Sequence, residues 1–254
     1  GSYVDTSVKT ITAGTLNITA NNGAGAIGAP GNGIDVAVTN LTFNTNNGNA
    51  FINSAGGFTI NGASTTGTLS ATLVSGGAIA QSAAINGLTL TTTSVNGTVL
   101  GSANTITNFN VTNTVNGNVS LVNTIGTLTI TGISQTGGGL IDVANTGALT
   151  ISGGITTTGN IILTGSTGYT QNTDIDVSAG AGNITVKADA IAIVSNAGNN
   201  AFITSGVLTL QPFTASTPVS LGGTDGFALS AAEVIDLSGG VTVAGSIVIG
   251  SSAS

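Results

Sequence analysis

Apolar residues fall at every second position in short runs along most of the chain. "GTLTITG" (126–132) sets Leu128 and Ile130 among Thr residues with Gly at each end, and "GTLNITA" (14–20), "GLTLTTT" (87–93), "GALTISG" (147–153) and "GNITVKA" (182–188) repeat the form. A period of two places alternate side chains on opposite faces of a strand, whereas a helix needs a period near 3.6. The Val, Ile and Thr that crowd these runs favour the same extended backbone. The pattern therefore predicts strands rather than helices, many of them and all short.

The runs recur at a nearly constant interval. Leu88, Phe109, Leu128 and Leu149 each open an apolar–polar–apolar triplet, evenly spaced along the chain. Ile184 and Leu208, and likewise Leu16 and Leu41, are set slightly wider. Phe58 and Leu69 lie closer together, so each repeat holds more than one strand. Between the runs stand Asn-Gly pairs at 22–23, 32–33, 47–48, 61–62, 86–87, 96–97 and 116–117, and Gly-Gly pairs at 56–57, 76–77, 153–154, 222–223 and 239–240. Both tolerate the left-handed backbone of a sharp corner. Asn-Gly also suits a hairpin, so the turns by themselves permit an antiparallel sandwich or barrel.

The persistence of the repeat favours a solenoid. The expectation is an all-β parallel β-helix with roughly 20–25 residues per coil, continuous over residues 1–254 as a single domain. About eleven coils at roughly 4.8 Å each would make a rod on the order of 50 Å long. Inward Ile, Leu, Val and Ala would stack as ladders, as would outward Thr, Ser and Asn. One coil alone buries too little to offset its own ordering, so only a run of coils is stable.

Composition agrees with that architecture. Only 4% of residues are charged, against about a quarter in an ordinary domain. A charge repeated at one coil position would stack against its own copies about 5 Å apart, which is destabilising. Cys, Met, Trp, His and Arg are absent, and Lys9 and Lys187 are the two basic residues. A net charge of −7 leaves no basic footprint for nucleic acid. It also disfavours anionic lipid surfaces.

Mean hydropathy is +0.47, yet no run approaches the roughly 20 apolar residues of a spanning helix. With two Tyr and seven Phe the chain lacks the aromatic girdles of a membrane barrel. Neither reading supports membrane insertion. No disulfide framework is possible. The opening "GSYVD" carries no basic-then-apolar leader and reads as following a processing cut or opening a fragment.

Candidate chemistry is sparse. The carboxylates are Asp5, Asp35, Asp142, Asp174, Asp176, Asp189, Asp225, Glu233 and Asp236. The close pair is "DID" at 174–176, whose two Asp would share one strand face about 7 Å apart, within the range of a two-carboxylate glycosidase. Without His or Arg to bind acidic sugars, solvated strand residues are the better reading. "DID" and "TDG" (224–226) offer hard oxygen ligands for calcium, but the glycine-rich nonapeptide of calcium β-rolls does not occur. Ser and Thr are plentiful but no base stands ready to activate one. "GGG" (137–139) lacks the Lys of a phosphate loop. The expectation is no catalytic residue, no cofactor site and no metal site: not an enzyme. Sequons at Asn17, Asn40, Asn96, Asn110, Asn118 and Asn183 are of the number that chance supplies in so Asn- and Thr-rich a chain.

"AGAIGAPGNGIDV" (24–36), "GNAFINSAGGFTI" (48–60), "NNAFITSGVLTLQP" (199–212) and "LSAAEVIDLSGGVTVAGSIVIG" (229–250) resemble the repeat regions of filamentous-haemagglutinin-like exoproteins of Gram-negative bacteria. These are large surface adhesins, many secreted through a dedicated outer-membrane partner. The resemblance runs over nearly the whole chain and is carried by composition and repeat form. It implies a right-handed parallel β-helix. The three Pro follow Ala29, Gln211 and Thr217, so the family's Asn-Pro secretion motifs are not visible. "GSSAS" (250–254) is not an evident polar cap, and the expectation is a segment of a longer fibre or a subunit stacking end to end.

The function expected is thus structural: the stalk or fibre of a secreted or cell-surface adhesin, matrix or filament. Its partners would be neighbouring repeats, further copies of itself, or a surface glycan or host receptor. The alternative is a solenoid that binds ice or carbohydrate through outward Thr and Asn ladders, with "TLTIT" (127–131) and "LTLTTT" (88–93) as the candidate faces.

Overall fold

A computed structural model describes residue 2 and residues 9–20, 25–194, 201–238 and 242–250. Asp5 and the turns at 22–23 and 239–240 lie outside the described residues, as does the side chain of Asp236. The chain divides into two compact units, Gly1–Thr124 and Ile125–Ser254. Each is built from parallel strands stacked as a β-solenoid, about nine turns in all.

The first unit holds β1 (Ile11–Ala20), β2 (Ile34–Thr45), β3 (Ala50–Ser54), β4 (Phe58–Ile60), β5 (Ser64–Thr65), β6 (Ser70–Ser75), β7 (Ile79–Gln81), β8 (Ile85–Ser94), β9 (Thr98–Asn113) and β10 (Val119–Asn123). The alternation seen in the sequence now has a cause. Each strand lies directly on its equivalent one coil earlier, so side chains of one parity stack inward. Ala50 pairs with Ala71, which pairs with Leu90, which pairs with Phe109, one coil further along each time. Beside them Ile52, Leu73, Thr92 and Val111 form a second inward column. A second wall stacks β4, β7, the start of β9 and β10.

The second unit holds β11 (Thr127–Gln135), β12 (Ile141–Asn145), β13 (Ala148–Ile151), β14 (Ile155–Thr156), β15 (Ile161–Gly165), β16 (Gly168–Gln171), β17 (Val177–Gly180), β18 (Ile184–Ala188), β19 (Ile191–Ile193), β20 (Phe202–Thr204), β21 (Val207–Gln211), β22 (Val219–Leu221), β23 (Phe227–Leu229), the helix α1 (Ala231–Ser238), β24 (Thr242–Val243) and β25 (Ser246–Ile249). Its three walls are β12–β15–β18–β21–β25, β11–β13–β16–β19 and β11–β14–β17–β20–β24. In the first wall Ile141, Ile161, Ile184 and Leu208 stack inward, one from each successive coil. In the second, Leu128, Leu149, Tyr169 and Ile191 do the same. All eight side chains are buried.

Three expectations need correction. Among the described residues every named strand pair within a unit is parallel, so the Asn-Gly and Gly-Gly sites between those strands are corners and not hairpins. Second, the coils number about nine, not eleven. Leu208 pairs with Ile247, far beyond the usual repeat, because 212–238 leaves the stack to form β22, β23 and α1. The strand pattern does not predict that helix. Third, the triplet at Leu88 is offset. Leu90 is the residue stacked on Phe109, and Leu88 is exposed at a bend.

The corners explain the 40 glycines. A Cβ built on Gly77 would meet Gly57, and one on Gly117 would meet Gly97; a second series runs through Gly159, Gly182 and Gly206. Gly97 combines both demands of such a corner. Its φ is +102°, and a Cβ there would stand 2.6 Å from the carbonyl oxygen of Asn118 on the next coil.

The interior is not purely aliphatic. Asn104, Asn113, Asn123 and Asn145 are buried at strand ends, where the backbone turns and leaves amides and carbonyls unpaired. Asn123 Oδ1 accepts from the N–H of Ile106 (3.0 Å) and its Nδ2 donates to the carbonyl of the same residue (3.0 Å). Asn145 clips Ile125 in the same way (3.1 and 2.9 Å). Each side chain thereby replaces the ladder bonds that the corner lost.

Candidate interaction surface

Outward positions are the surface on which such a molecule can act. In the first unit β6, β8 and β9 lay down three outward columns: Ser70, Thr89 and Asn108; Thr72, Thr91 and Asn110; Val74, Thr93 and Thr112. In the second unit Thr129, Thr150 and Thr170 form one column that ends on Ala192. Of the two stretches singled out in the sequence, "LTLTTT" contributes Thr89, Thr91 and Thr93 outward. Thr92 turns inward, where its hydroxyl lies 3.2 Å from that of Thr98.

Many outward polar groups bond to the next coil. Asn108 Nδ2 donates to Thr89 Oγ1 (3.2 Å), Thr42 Oγ1 to Asn61 Oδ1 (3.3 Å), and Thr105 Oγ1 to Asn86 Oδ1. These bonds run along the stacking direction and extend the backbone ladder onto the surface.

The carboxylates are scattered. Asp174 and Asp176 do not share a strand face. They sit in the exposed loop between β16 and β17, and Asp174 has a left-handed backbone (φ 61°). Alternation fails there because the chain leaves the sheet after Gln171, whose Nε2 donates to the carbonyls of Ile175 and Ala201 (2.7 and 2.6 Å). Asp225 lies in the exposed turn before β23. Among the described residues no group of three or more His, Cys, Asp or Glu could hold a metal ion. Asp35 accepts from Asn53 Nδ2 (3.2 Å) on the neighbouring coil. Asp142 is half-buried in a wall, and that burial raises its carboxyl above the usual range while Lys187 opposes the shift.

Asp189 has a defined structural task. Its Oδ2 accepts from Thr214 Oγ1 (2.6 Å), and its Oδ1 accepts from the Thr214 N–H (2.6 Å) and Thr217 Oγ1 (3.1 Å). These bonds, that from the Thr214 hydroxyl foremost, hold the carboxyl below the usual carboxylate range. A folded-state pKa below the unfolded one stabilises above the unfolded pKa and is lost as pH falls through the folded value. Hydrogen exchange at the Thr214 amide should therefore quicken as pH drops below the ordinary range of Asp, relative to intrinsic rates. An unchanged protection factor would contradict the clasp.

In the sequence Glu233 is only one carboxylate among the 9. In the structure it is buried. One oxygen accepts from the Ser230 N–H (2.8 Å), while Ser230 Oγ accepts from the Glu233 N–H (3.3 Å). This is a capping box at the start of α1. The signal was present as Ser-x-x-Glu in "SAAE" (230–233) ahead of the apolar "VI" (234–235).

Comparison of the chain with known protein families, with curated proteins and with solved structures finds no match. The class that stands is the β-solenoid, parallel and all-β. Among the described residues no helix is long and apolar enough to cross a membrane.

Proposed function

We propose that this chain is a structural β-solenoid, a segment of the stalk or fibre of a bacterial surface adhesin, matrix or filament of filamentous-haemagglutinin-like type. The observation that supports it most is where the polar side chains are used. Outward Thr, Asn and Ser bond from coil to coil, inward Asn close the corners, and the carboxylates near them bind backbone or Asn. A chain that spends its polar groups on holding successive coils together is organised for length and rigidity, not for turnover.

The sequence resemblance supports the same reading and, with it, a place outside the cell. The partners would be adjoining repeats or further copies. Immunogold labelling of intact producing cells tests it: label should decorate filaments or matrix at the surface, and label confined to the cytoplasm would sink the proposal.

The Thr129–Thr150–Thr170 column and the three-by-three outward array on β6, β8 and β9 favour a second reading, a flat hydroxyl face that binds ice or carbohydrate. Thermal hysteresis of the purified chain separates the two, since a stalk has no reason to produce it.

A further inference from the structure

The three walls of the second unit do not end alike. Two of them reach β24 and β25, while the wall of β11, β13, β16 and β19 stops at β19 among the described residues. In that last strand Val194 N–H donates to Gln171 on the β16 side (2.9 Å). Strand alternation therefore turns the Ile193 N–H the other way, onto the outer edge. An open edge of this kind is a template for another strand.

The excursion 212–238 lies over that edge. The Ile193 N–H donates to Glu233 Oε1 at 2.6 Å, and the second oxygen of the same carboxylate holds Ser230 at the start of α1. Strand β23 touches β19. Phe227 and Leu229, on β23, are buried, and Ile191 and Ile193 are only 8% and 5% exposed. Together they fill the place that the next coil's inward residues would take. What remains open between β19 and α1 is a groove of about 410 Å³ lined by Ala192, Val194, Ala232 and Glu233 among others.

We infer that 212–238 is an edge cap, and that the outer edge of β19 beneath it is a latent pairing surface for a second copy of this chain, held shut by Glu233. The sheet needs protection at this point because β19 carries apolar side chains on its inward face and an outward amide on its rim. A carboxylate serves the purpose well. It accepts from the edge N–H and offers no donor through which a further strand could continue the ladder. Once uncapped, each copy presents the same edge, so two copies pair antiparallel about a two-fold axis.

The test uses the full chain with Glu233→Ala and Glu233→Gln. In Glu233→Ala, hydrogen exchange at the Ile193 amide should quicken on the order of 10- to 100-fold, the range for loss of a bond to a charged group. The Ile151 amide, two coils deeper in the same wall, should keep its rate. Sedimentation should show more dimer than the parent chain at equal concentration. Adding Ile193→Pro should remove that excess, because Pro takes away the outward N–H without touching the β16 ladder. Glu233→Gln keeps one acceptor and the side-chain volume, and should quicken Ile193 less while leaving Ile151 alone. It keeps the question open to refutation if the Ala variant unfolds. Unchanged exchange at Ile193 in the Gln variant, or excess dimer that Ile193→Pro does not abolish, would overturn the inference.

Discussion

Replacing Gly97 by Ala lowers the stability of the first unit by about 3 kcal/mol or more, whereas Gly56→Ala changes it by less than about 0.5 kcal/mol. Both are corner glycines in the same sheet, and sequence alone ranks them together. At Gly97 the backbone stands at φ +102° and an added Cβ would lie 2.6 Å from the Asn118 carbonyl oxygen, with the Asn118 nitrogen 2.9 Å away. The clash is with backbone on the next coil, so no rotamer relieves it. Shifting that backbone also disturbs the Gly97 N–H, which donates to the buried Asn113 Oδ1 at 2.9 Å. At Gly56 nothing lies within 4 Å of an added Cβ. Urea unfolding followed by the strand signal in circular dichroism measures both. Equal losses would mean that coil spacing at the corner is not what selects glycine.

Asn104→Asp has the second large effect, and it depends on pH. Asn104 is fully buried. Its Oδ1 accepts from the Ile85 N–H (2.8 Å), and its Nδ2 donates to the carbonyls of Ser102 (2.7 Å) and Val122 (2.9 Å). Gln81 completes the cluster from the neighbouring coil. An ionised Asp would turn a carboxylate oxygen toward two carbonyl oxygens in a site closed to water, at a cost of about 3–5 kcal/mol. A protonated Asp can still donate one of those bonds. The folded state thus holds the proton more tightly than the unfolded chain, whose Asp titrates near about 3.9. Relative to the parent chain, the variant keeps most of its stability below about pH 4 and loses it progressively as pH rises above that value. A loss that is the same at every pH, and equal to that of Asn104→Ala, would contradict this role of the amide.

The architecture was legible because the repeat acts on every level at once. Period-two alternation marked the strands. Leu128 with Leu149, Ile184 with Leu208 and Leu16 with Leu41 are true register partners. Even the corner series Gly57, Gly77, Gly97 and Gly117 is visible as evenly spaced Gly-Gly and Asn-Gly pairs, one to each coil.

Legibility failed where the chain leaves the lattice. "DID" reads as a strand by alternation, but no following coil supports an extended backbone there. "LTLTTT" reads as a surface ladder, but parity turns Thr92 inside. The buried Asn residues had a signal: Asn113, Asn123 and Asn145 each follow an inward Val or Leu at the next position of the same parity. Composition counts them as surface. Helix α1 was not legible in the repeat, because its Ser230–Glu233 box is local and occurs once.

In-register parallel stacking is the claim on which the rest depends, and the absence of Cys makes paired cysteines the direct test. Thr72 faces Thr91 and Val74 faces Thr93 across β6 and β8, at a strand separation near about 4.8 Å that a disulfide can bridge. Under mild oxidation Thr72→Cys with Thr91→Cys, and Val74→Cys with Thr93→Cys, should each close a bond in nearly all molecules. The crossed combinations, 72 with 93 and 74 with 91, should close few. Efficient closure of the crossed pairs instead would mean that the two strands run in opposite directions, and the solenoid would fall with that result.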